Sequence, residues 1–160
     1  SGADGNSIVA VKRPVKTIDY GFAGDIQKVN TKNLKLLLNH RITPIFCAIT
    51  HDENGQLLNT NADTIASELA IAFAKEYATE LYYCFEKNGV LEDVNNDDSV
   101  IETIDTKNYQ PLLKDNIIAD GMLPKLTNCF HAINHDVEKV HIGTSAILLH
   151  KNTTHTTIQK

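Results

Sequence analysis

Segments whose apolar residues repeat as in a strand alternate along the chain with segments whose apolar residues repeat as in a helix. Ser7–Lys12 (SIVAVK) alternates apolar and polar residues, as a half-buried strand does. Pro44–Ile49 (PIFCAI) is continuously apolar, which is typical of a strand buried on both faces of a parallel sheet. Further strands are predicted over Glu80–Phe85, Lys139–Ile142 and Thr156–Gln159.

Helical patterns separate these strands. Thr31 is the expected N-cap of a helix that reaches Leu38, and Ala62–Tyr77 is the longest helical pattern. The other helices are predicted over Thr106–Lys114, Met122–His135 and Ala146–His150. Strands that alternate with helices predict an α/β fold around a mostly parallel sheet, in which ligands bind at the carboxyl ends of the strands.

Length and composition narrow the class of protein. The 160 residues suit one domain, residues 1–160, with a core of its own. The formal net charge of −5 is spread along the chain, so we expect no binding to nucleic acid or to an anionic membrane. No apolar run is long enough to span a bilayer, and we expect a cytoplasmic protein. The cysteines, each in an apolar run and predicted to be buried reduced thiols, are Cys47, Cys84 and Cys129.

The stretch NTNAD carries the first candidate chemistry. Asn59, Asn61 and Asp63 alternate along it, so in an extended segment their side chains share one face. Asparagine amides both donate and accept hydrogen bonds and can hold an amide or a carboxylate. Asp63 also stands where a helix begins, and the residue types alone favour a helix cap there over a binding site.

A second candidate lies in Asn116–Leu126 (NIIADGMLPKL). Pro124 fits the first turn of the following helix, which also puts Lys125 in that turn. A cation there opposes the helix dipole, and a bound phosphate would remove the conflict. An exposed lysine without a function is the competing interpretation.

A third stretch, Tyr82–Asp93 (YYCFEKNGVLED), is a strand followed by a glycine turn and only weakly indicates a nucleotide-binding edge.

No metal site is predicted. His131 and His135 are four residues apart on one predicted helix, but no third ligand accompanies them. Glu92–Asp98 (EDVNNDD) lacks the glycine and the glutamate of a calcium loop and is predicted to be an exposed turn. The common phosphate-loop, dinucleotide and nucleophile-elbow signatures are absent from the sequence.

Taken in order, these stretches resemble the amino acid kinase family, and in particular its acetylglutamate kinases. The resemblance rests on SGADGN, GFAGDI (Gly21–Ile26), NTNAD, FEKNGVL and IIADGMLPK and runs through essentially the whole chain. NTNAD is similar to the family's N-x-N-A-D, and ADGMLPK is similar to its DGM-x-x-K. The resemblance implies a three-layer αβα sandwich with a mostly parallel central sheet.

The resemblance also implies roles for individual residues. Asn59, with Asn61 beside it, would hold an N-acylglutamate, Asp63 would orient catalytic lysines, and Lys125 would stabilise the transferring phosphoryl group. The residues implied to enclose ATP are Glu86, Lys87, Asn88, Gly89, Val90, Leu91, Ile117, Ile118, Ala119, Met122 and Lys125.

The implied reaction is transfer of the ATP γ-phosphoryl group to the side-chain carboxylate of N-acetyl-L-glutamate, the second step of arginine biosynthesis. Mg²⁺ would be held mainly by the phosphates, and the enzyme would be a homo-oligomer. Two alternatives stay open: N-succinylglutamate as the substrate, or a non-catalytic, nucleotide-binding regulatory domain derived from such a kinase.

Two departures from the family pattern qualify the resemblance. Phe85 and Glu86 stand where the family's nucleotide loop usually has Ser or Thr followed by Asp. The family's N-terminal domain, with a first catalytic lysine, a glycine-rich substrate loop and a substrate-binding arginine, has no counterpart in these 160 residues. We therefore expect the chain to be the C-terminal, ATP-binding part of such an enzyme, inactive by itself.

Overall fold

The computed structural model describes residues 1–114, 122–150 and 152–160. These residues form two compact units, Ser1–Ala72 (unit 1) and Phe73–Lys160 (unit 2), and each is described by itself. Within the described ranges, no helix combines the length and the apolar character needed to cross a membrane.

Unit 1 is built on a four-stranded sheet with the order β2-β1-β3-β4. Its strands are β1 (Ile8–Lys12), β2 (Gly24–Val29), β3 (Ile49–His51) and β4 (Leu57–Asn59). Its helices are a 3₁₀ turn at Asp4–Asn6, α1 (Thr31–Asn39) and most of α2 (Ala62–Ala74). β1 lies inside the sheet, and the apolar half of its sequence forms the core with side chains from both helices and β4: Ile8, Val9, Ala10, Leu34, Leu58 and Ile65.

Unit 2 contains a second four-stranded sheet with the order β5-β7-β8-β6. Its strands are β5 (Glu80–Cys84), β6 (Thr103–Ile104), β7 (Lys139–Gly143) and β8 (Thr156–Ile158). Its helices are α3 (Tyr109–Lys114), α4 (Leu123–Asn134) and a 3₁₀ turn at Ser145–Leu148. The helical spacing of the apolar residues in α4 puts one side against β7 and β8, and fully buried residues join the two: Leu126, Cys129, Ile133, Val140, Ile142 and Ile158.

The predicted α/β class is confirmed, and the predicted parallel arrangement is confirmed in part. The pairs β1–β3, β5–β7 and β6–β8 are parallel. The pairs β1–β2, β3–β4 and β7–β8 are antiparallel. Each described sheet is therefore mixed.

The prediction of a doubly buried strand over Pro44–Ile49 is wrong. β3 begins only at Ile49, and the Ile45 side chain is 91% exposed. Pro44 has no N–H to donate, and the Ile49 N–H donates to the Cys47 carbonyl at 2.8 Å, so a local turn precedes the ladder. The prediction of three buried thiols also fails, because Cys47 and Cys84 are exposed and only Cys129 is buried.

The other predicted elements are present, with shifted ends. Asn30, rather than Thr31, precedes the first turn of α1. Strands β2 and β6 had no clear signal in the sequence. Gly55 lies in the bend between β3 and β4 and has a positive φ of 96°.

Candidate active site

The NTNAD motif joins β4 to α2 in unit 1. Leu58 and Thr60 point into the core, whereas Asn59 and Asn61 are exposed. The alternation expected of an extended segment therefore holds from Leu57 to Asn61. Asn59 and Asn61 share the exposed side of this connection.

Asn61, rather than Asp63, caps helix α2. The Asn61 side-chain oxygen accepts a hydrogen bond from the Thr64 N–H at 3.0 Å, and its carbonyl accepts one from the Ile65 N–H at 3.0 Å. Both contacts are those of an N-cap residue. Asp63 lies half-buried in the first turn, where its carboxylate interacts favourably with the helix dipole.

The GFAGDI stretch lies directly against the NTNAD motif. The Asn59 N–H donates to the Phe22 carbonyl at 2.8 Å, and Ala23 forms a parallel bridge with Asn59. A Cβ at Gly24 would lie 2.8 Å from the Leu58 Cβ, closer than real Cβ contacts allow. The fold therefore needs glycine where these two motifs meet.

Two buried threonine hydroxyl groups lie on the core side of the NTNAD motif. The Oγ1 atoms of Thr50 and Thr60 lie 2.8 Å apart, and Thr60 donates to the Gly24 carbonyl at 3.3 Å. Both threonines are buried. Their mutual hydrogen bond satisfies polar groups that would otherwise be costly in the core.

The turn before β4 is organised by Asp52. Its Oδ1 accepts hydrogen bonds from the N–H groups of Asn54 at 2.8 Å and Gln56 at 3.0 Å. These bonds to the ionised form lower the pKa of the Asp52 carboxyl below its ordinary value. The charged form of Asp52 thus fixes the path of the chain into β4.

In unit 2, the FEKNGVL stretch follows the end of β5 and forms hydrogen bonds to two other strands. The Phe85 N–H donates to the Gly143 carbonyl of β7 at 2.9 Å. The Val90 N–H donates to the Thr156 hydroxyl of β8 at 2.8 Å. A Cβ at Gly89 would lie 2.6 Å from the Thr156 Oγ1 and 3.0 Å from its backbone nitrogen, so the loop requires glycine at this position.

The loop and the start of α4 enclose a small pocket of about 70 Å³. Its lining residues are Phe85, Lys87, Gly89, Val90, Leu91, Val94 and Met122. The pocket unites predicted nucleotide residues that are more than 30 positions apart in the sequence. This pocket is smaller than the clefts that hold drug-sized ligands, which measure roughly 300–1,000 Å³. The predicted contacts Ile117, Ile118 and Ala119 lie outside the described residues.

Three described residues predicted to contact ATP, Glu86, Asn88 and Lys125, do not line this pocket. The Glu86 side chain is exposed, and the Asn88 backbone carbonyl would lie 3.1 Å from a Cβ placed at Gly143. Lys87 forms an ion pair of 2.6 Å with Asp97 in the acidic loop. That loop, Glu92–Asp98, is exposed as predicted.

Lys125 lies in the first turn of α4, as the sequence predicts. Met122 precedes the helix, Pro124 occupies its first turn, and no acidic residue is present in that turn. The Lys125 Nζ lies 4.7 Å from the ring centroid of Tyr83, which is 5% exposed. The lysine therefore adds its charge to the positive end of the helix dipole, next to a buried aromatic face.

The histidine pair of α4, His131 and His135, lies at the end of that helix. His135 follows the end of the helix, and its Nδ1 lies 2.8 Å from the His131 carbonyl oxygen. In the part of the chain that the structure describes, no group of three or more His, Cys, Asp or Glu side chains is arranged to hold a metal ion.

Sequence reasoning missed three of the supporting groups: Tyr83, Thr156 and the Thr50–Thr60 pair. Each lies within a strand or beside one, where a single sequence shows only an apolar or β-branched residue. Thr156 is 66 residues from the backbone group that it binds. No local signal marks such a long-range partner.

The comparisons with known proteins fit this arrangement. The model of the amino acid kinase family matches residues 2–144. The acetylglutamate kinase of Cytophaga hutchinsonii is 51% identical over 143 residues, which are 89% of this chain and 54% of that protein. The chain thus spans about half the length of this relative.

Two solved structures share the fold. N-acetylglutamate synthase from Neisseria gonorrhoeae, complexed with coenzyme A and N-acetyl-glutamate, has a TM-score of 0.79 and 23% identity over 97% of this chain and 37% of its own. Carbamate kinase from Giardia lamblia, bound to AMP-PNP, has a TM-score of 0.63 and 16% identity over 86% of this chain and 52% of its own. At these identities the likeness shows the fold alone. Because the family model matches most of its length, the chain belongs to the amino acid kinase family.

Proposed function

We propose that the protein is an acetylglutamate kinase, which transfers the γ-phosphoryl group of ATP to the side-chain carboxylate of N-acetyl-L-glutamate in the second step of arginine biosynthesis. This chain contributes the nucleotide-binding part. The observation that carries the proposal is the 51% identity to a protein named acetylglutamate kinase over 89% of the chain. The contacts within each unit support it and suggest how the residues act.

The nucleotide side of the reaction belongs to unit 2. Lys87, Gly89, Val90, Leu91 and Met122 line one pocket, which we assign to ATP together with the predicted contacts outside the described residues. The AMP-PNP in the Giardia carbamate kinase supports the use of a nucleoside triphosphate by this fold. Hydrogen bonds from the loop to β7 and β8 hold this wall of the pocket in position.

Lys125 is suited to stabilise the transferring phosphoryl group. Phosphoryl transfer needs alignment and compensation of negative charge more than it needs covalent catalysis. The first turn of α4 offers backbone N–H groups and an ammonium group at the positive end of the helix dipole. In the reaction a carboxylate oxygen forms a bond to the γ-phosphorus, the bond to the bridging oxygen breaks, and ADP leaves.

The acceptor side involves the NTNAD motif of unit 1. A carboxylate is already an anionic nucleophile, so the reaction needs no general base. We assign Asn59, exposed at the end of β4, to hold the acylglutamate. The cap that Asn61 forms fixes the start of α2, and Asp63 in the first turn is suited to orient cations rather than to remove a proton.

Mg²⁺ fits the proposal as an ion held by the phosphates of the nucleotide. The described residues offer no protein cluster that would hold it alone. When bound, it neutralises charge on the phosphates during transfer.

The test is ADP production by the full-length product of the gene that encodes these residues, with ATP and N-acetyl-L-glutamate as substrates. Lys125→Ala should lower kcat by about 10²–10³-fold, the usual loss when a group that stabilises the transition state is removed. Asn59→Ala should mainly raise the KM for the acylglutamate. Lys32→Ala is the matched control, because Lys32 is an exposed lysine in the first turn of another helix, α1.

Three outcomes would contradict the proposal. A preference for N-succinylglutamate would change the substrate, and nucleotide binding without turnover would indicate a regulatory domain. An unchanged kcat in Lys125→Ala would remove the role assigned to that lysine.

A further inference from the structure

We propose that Asp97 limits the affinity for ATP, because its carboxylate competes with the phosphates of the nucleotide for the ammonium group of Lys87. The inference rests on the proposed function, since it concerns the pocket assigned to ATP. The motifs that carry the family resemblance do not include Asp97.

Among the described residues that line the nucleotide pocket, only Lys87 is charged. The others offer an apolar side chain or none: Phe85, Gly89, Val90, Leu91, Val94 and Met122. Apolar walls suit the flat base of a nucleotide, as in most small-molecule sites. The phosphates are anions and need a cation, and a lysine ammonium is a common phosphate ligand. Lys87 is the lining residue that can supply this charge.

A carboxylate already binds the Lys87 ammonium. The Lys87 Nζ lies 2.6 Å from the Asp97 Oδ1, which makes a short, charge-assisted hydrogen bond. The two side chains are 41% and 67% exposed, so water screens the pair and its attraction is modest. A nucleoside triphosphate carries several negative charges on adjoining phosphates and is a stronger partner for the same ammonium. The pair is therefore weak enough to be exchanged for the nucleotide.

The acidic loop sets the position of the Asp97 carboxylate. The Ser99 hydroxyl accepts a hydrogen bond from the Asp93 N–H at 3.0 Å and donates one to the Asn96 carbonyl at 2.7 Å. The Asn96 N–H donates to the Asp93 carbonyl at 2.9 Å. These bonds close the loop on itself immediately before Asp97. Val94 of the same loop lines the pocket, so one loop places an apolar contact and a carboxylate beside it.

Two opposing contributions to ATP binding follow. Lys87 attracts the phosphates, whereas Asp97 weakens binding, because its ion pair with the lysine is given up when the nucleotide takes the ammonium. Loss of an exposed ion pair changes a dissociation constant by about 2- to 5-fold. Asp97 should therefore raise the Kd for ATP by about this factor without contacting the nucleotide.

The experiment measures ATP binding to the full-length protein by isothermal titration calorimetry. Asp97→Asn keeps the size of the side chain, removes its charge and should lower the Kd for ATP by about 2- to 5-fold. Asp98→Asn is the matched control, because Asp98 is an exposed carboxylate of the same loop outside this ion pair, and it should change the Kd by less than about 1.5-fold. Lys87→Met should raise the Kd. In the Lys87→Met background, Asp97→Asn should have no larger effect than the control, since no ammonium remains to compete for.

Adenosine distinguishes competition for charge from coverage of the pocket. It has the base and the ribose but no phosphate, so Asp97→Asn should leave the Kd for adenosine unchanged. Equal tightening of adenosine and ATP would show that the loop only covers the pocket, and equal effects of Asp97→Asn and Asp98→Asn would show a general effect of loop charge. Either result, or a Kd for ATP that Asp97→Asn does not lower, would overturn the inference alone. No ATP binding by the unmodified full-length protein would instead overturn the proposed function, and the inference with it.

Discussion

Replacing Thr156 with valine removes one hydroxyl group that forms hydrogen bonds with two distant backbone groups of unit 2. Its Oγ1 accepts a hydrogen bond from the Val90 N–H at 2.8 Å and donates one to the Ile101 carbonyl at 2.7 Å. Thr156 is fully buried, so water cannot replace either bond. Valine has nearly the same shape, and the substitution therefore tests the hydroxyl rather than the packing.

The expected loss follows from the two bonds. A buried donor left without a partner costs about 1–3 kcal/mol, and a typical hydrogen bond contributes about 1 kcal/mol net. Thr156→Val should therefore lower the free energy of unfolding by about 2–4 kcal/mol. Thr156→Ser keeps the hydroxyl and loses one buried methyl group, which costs about 1 kcal/mol. Thr156→Val should therefore be less stable than Thr156→Ser by about 1–3 kcal/mol.

The assay is urea unfolding of the full-length protein and both variants, followed by circular dichroism, with titration of ATP on the folded forms. Because Val90 lines the pocket assigned to the nucleotide, Thr156→Val should also weaken ATP binding more than Thr156→Ser does. Valine and serine variants that differ by less than about 0.5 kcal/mol would refute the reasoning, since the hydroxyl would then contribute little to the loop.

Two further predictions concern the cap of α2 and a buried histidine. Asn61→Ala should lower the free energy of unfolding by about 1 kcal/mol, because the helix cap is lost, whereas Asn61→Ser should keep most of that stability. Equal free energies of unfolding for the two variants in urea would contradict the cap. Burial lowers the pKa of His141, with Glu80 opposing this shift and His155 and Lys139 adding to it. The unfolded chain therefore binds a proton more readily, and stability present above about pH 6.5 is lost as the pH falls. His141→Gln should lose less stability than the parent between about pH 7.5 and about pH 5.5, and parallel pH curves would count against the shift.

Part of the fold could be predicted because local physics decides it. The alternation of SIVAVK and the apolar stripe of α4 correspond to β1 and to the helix that packs on β7 and β8. Pro124 and the residues around it mark where α4 begins, and this alone puts Lys125 in the first turn. Order and spacing of the motifs also indicated the family.

Other features could not be predicted because they depend on which segments become neighbours. The continuous hydrophobicity of Pro44–Ile49 predicts a buried strand. A strand also needs a neighbouring strand to hydrogen-bond with, and here that pairing begins only at Ile49. β6 is only two residues long and exists because β8 offers it an edge. In NTNAD, both Asn61 and Asp63 are good cap residues, and only the backbone path out of β4 decides between them.

The sequence by itself therefore determined the class of fold, most of its elements, the family, and the chemical types of the candidate residues, because periodicity and capping act over a few positions. Only the tertiary structure decided that the Val90 N–H binds Thr156, that Met122 and Lys87 line one pocket, and that the Tyr83 ring lies beside Lys125. Those contacts form when strands far apart in the chain pair in one register, and a single sequence carries no local record of that register.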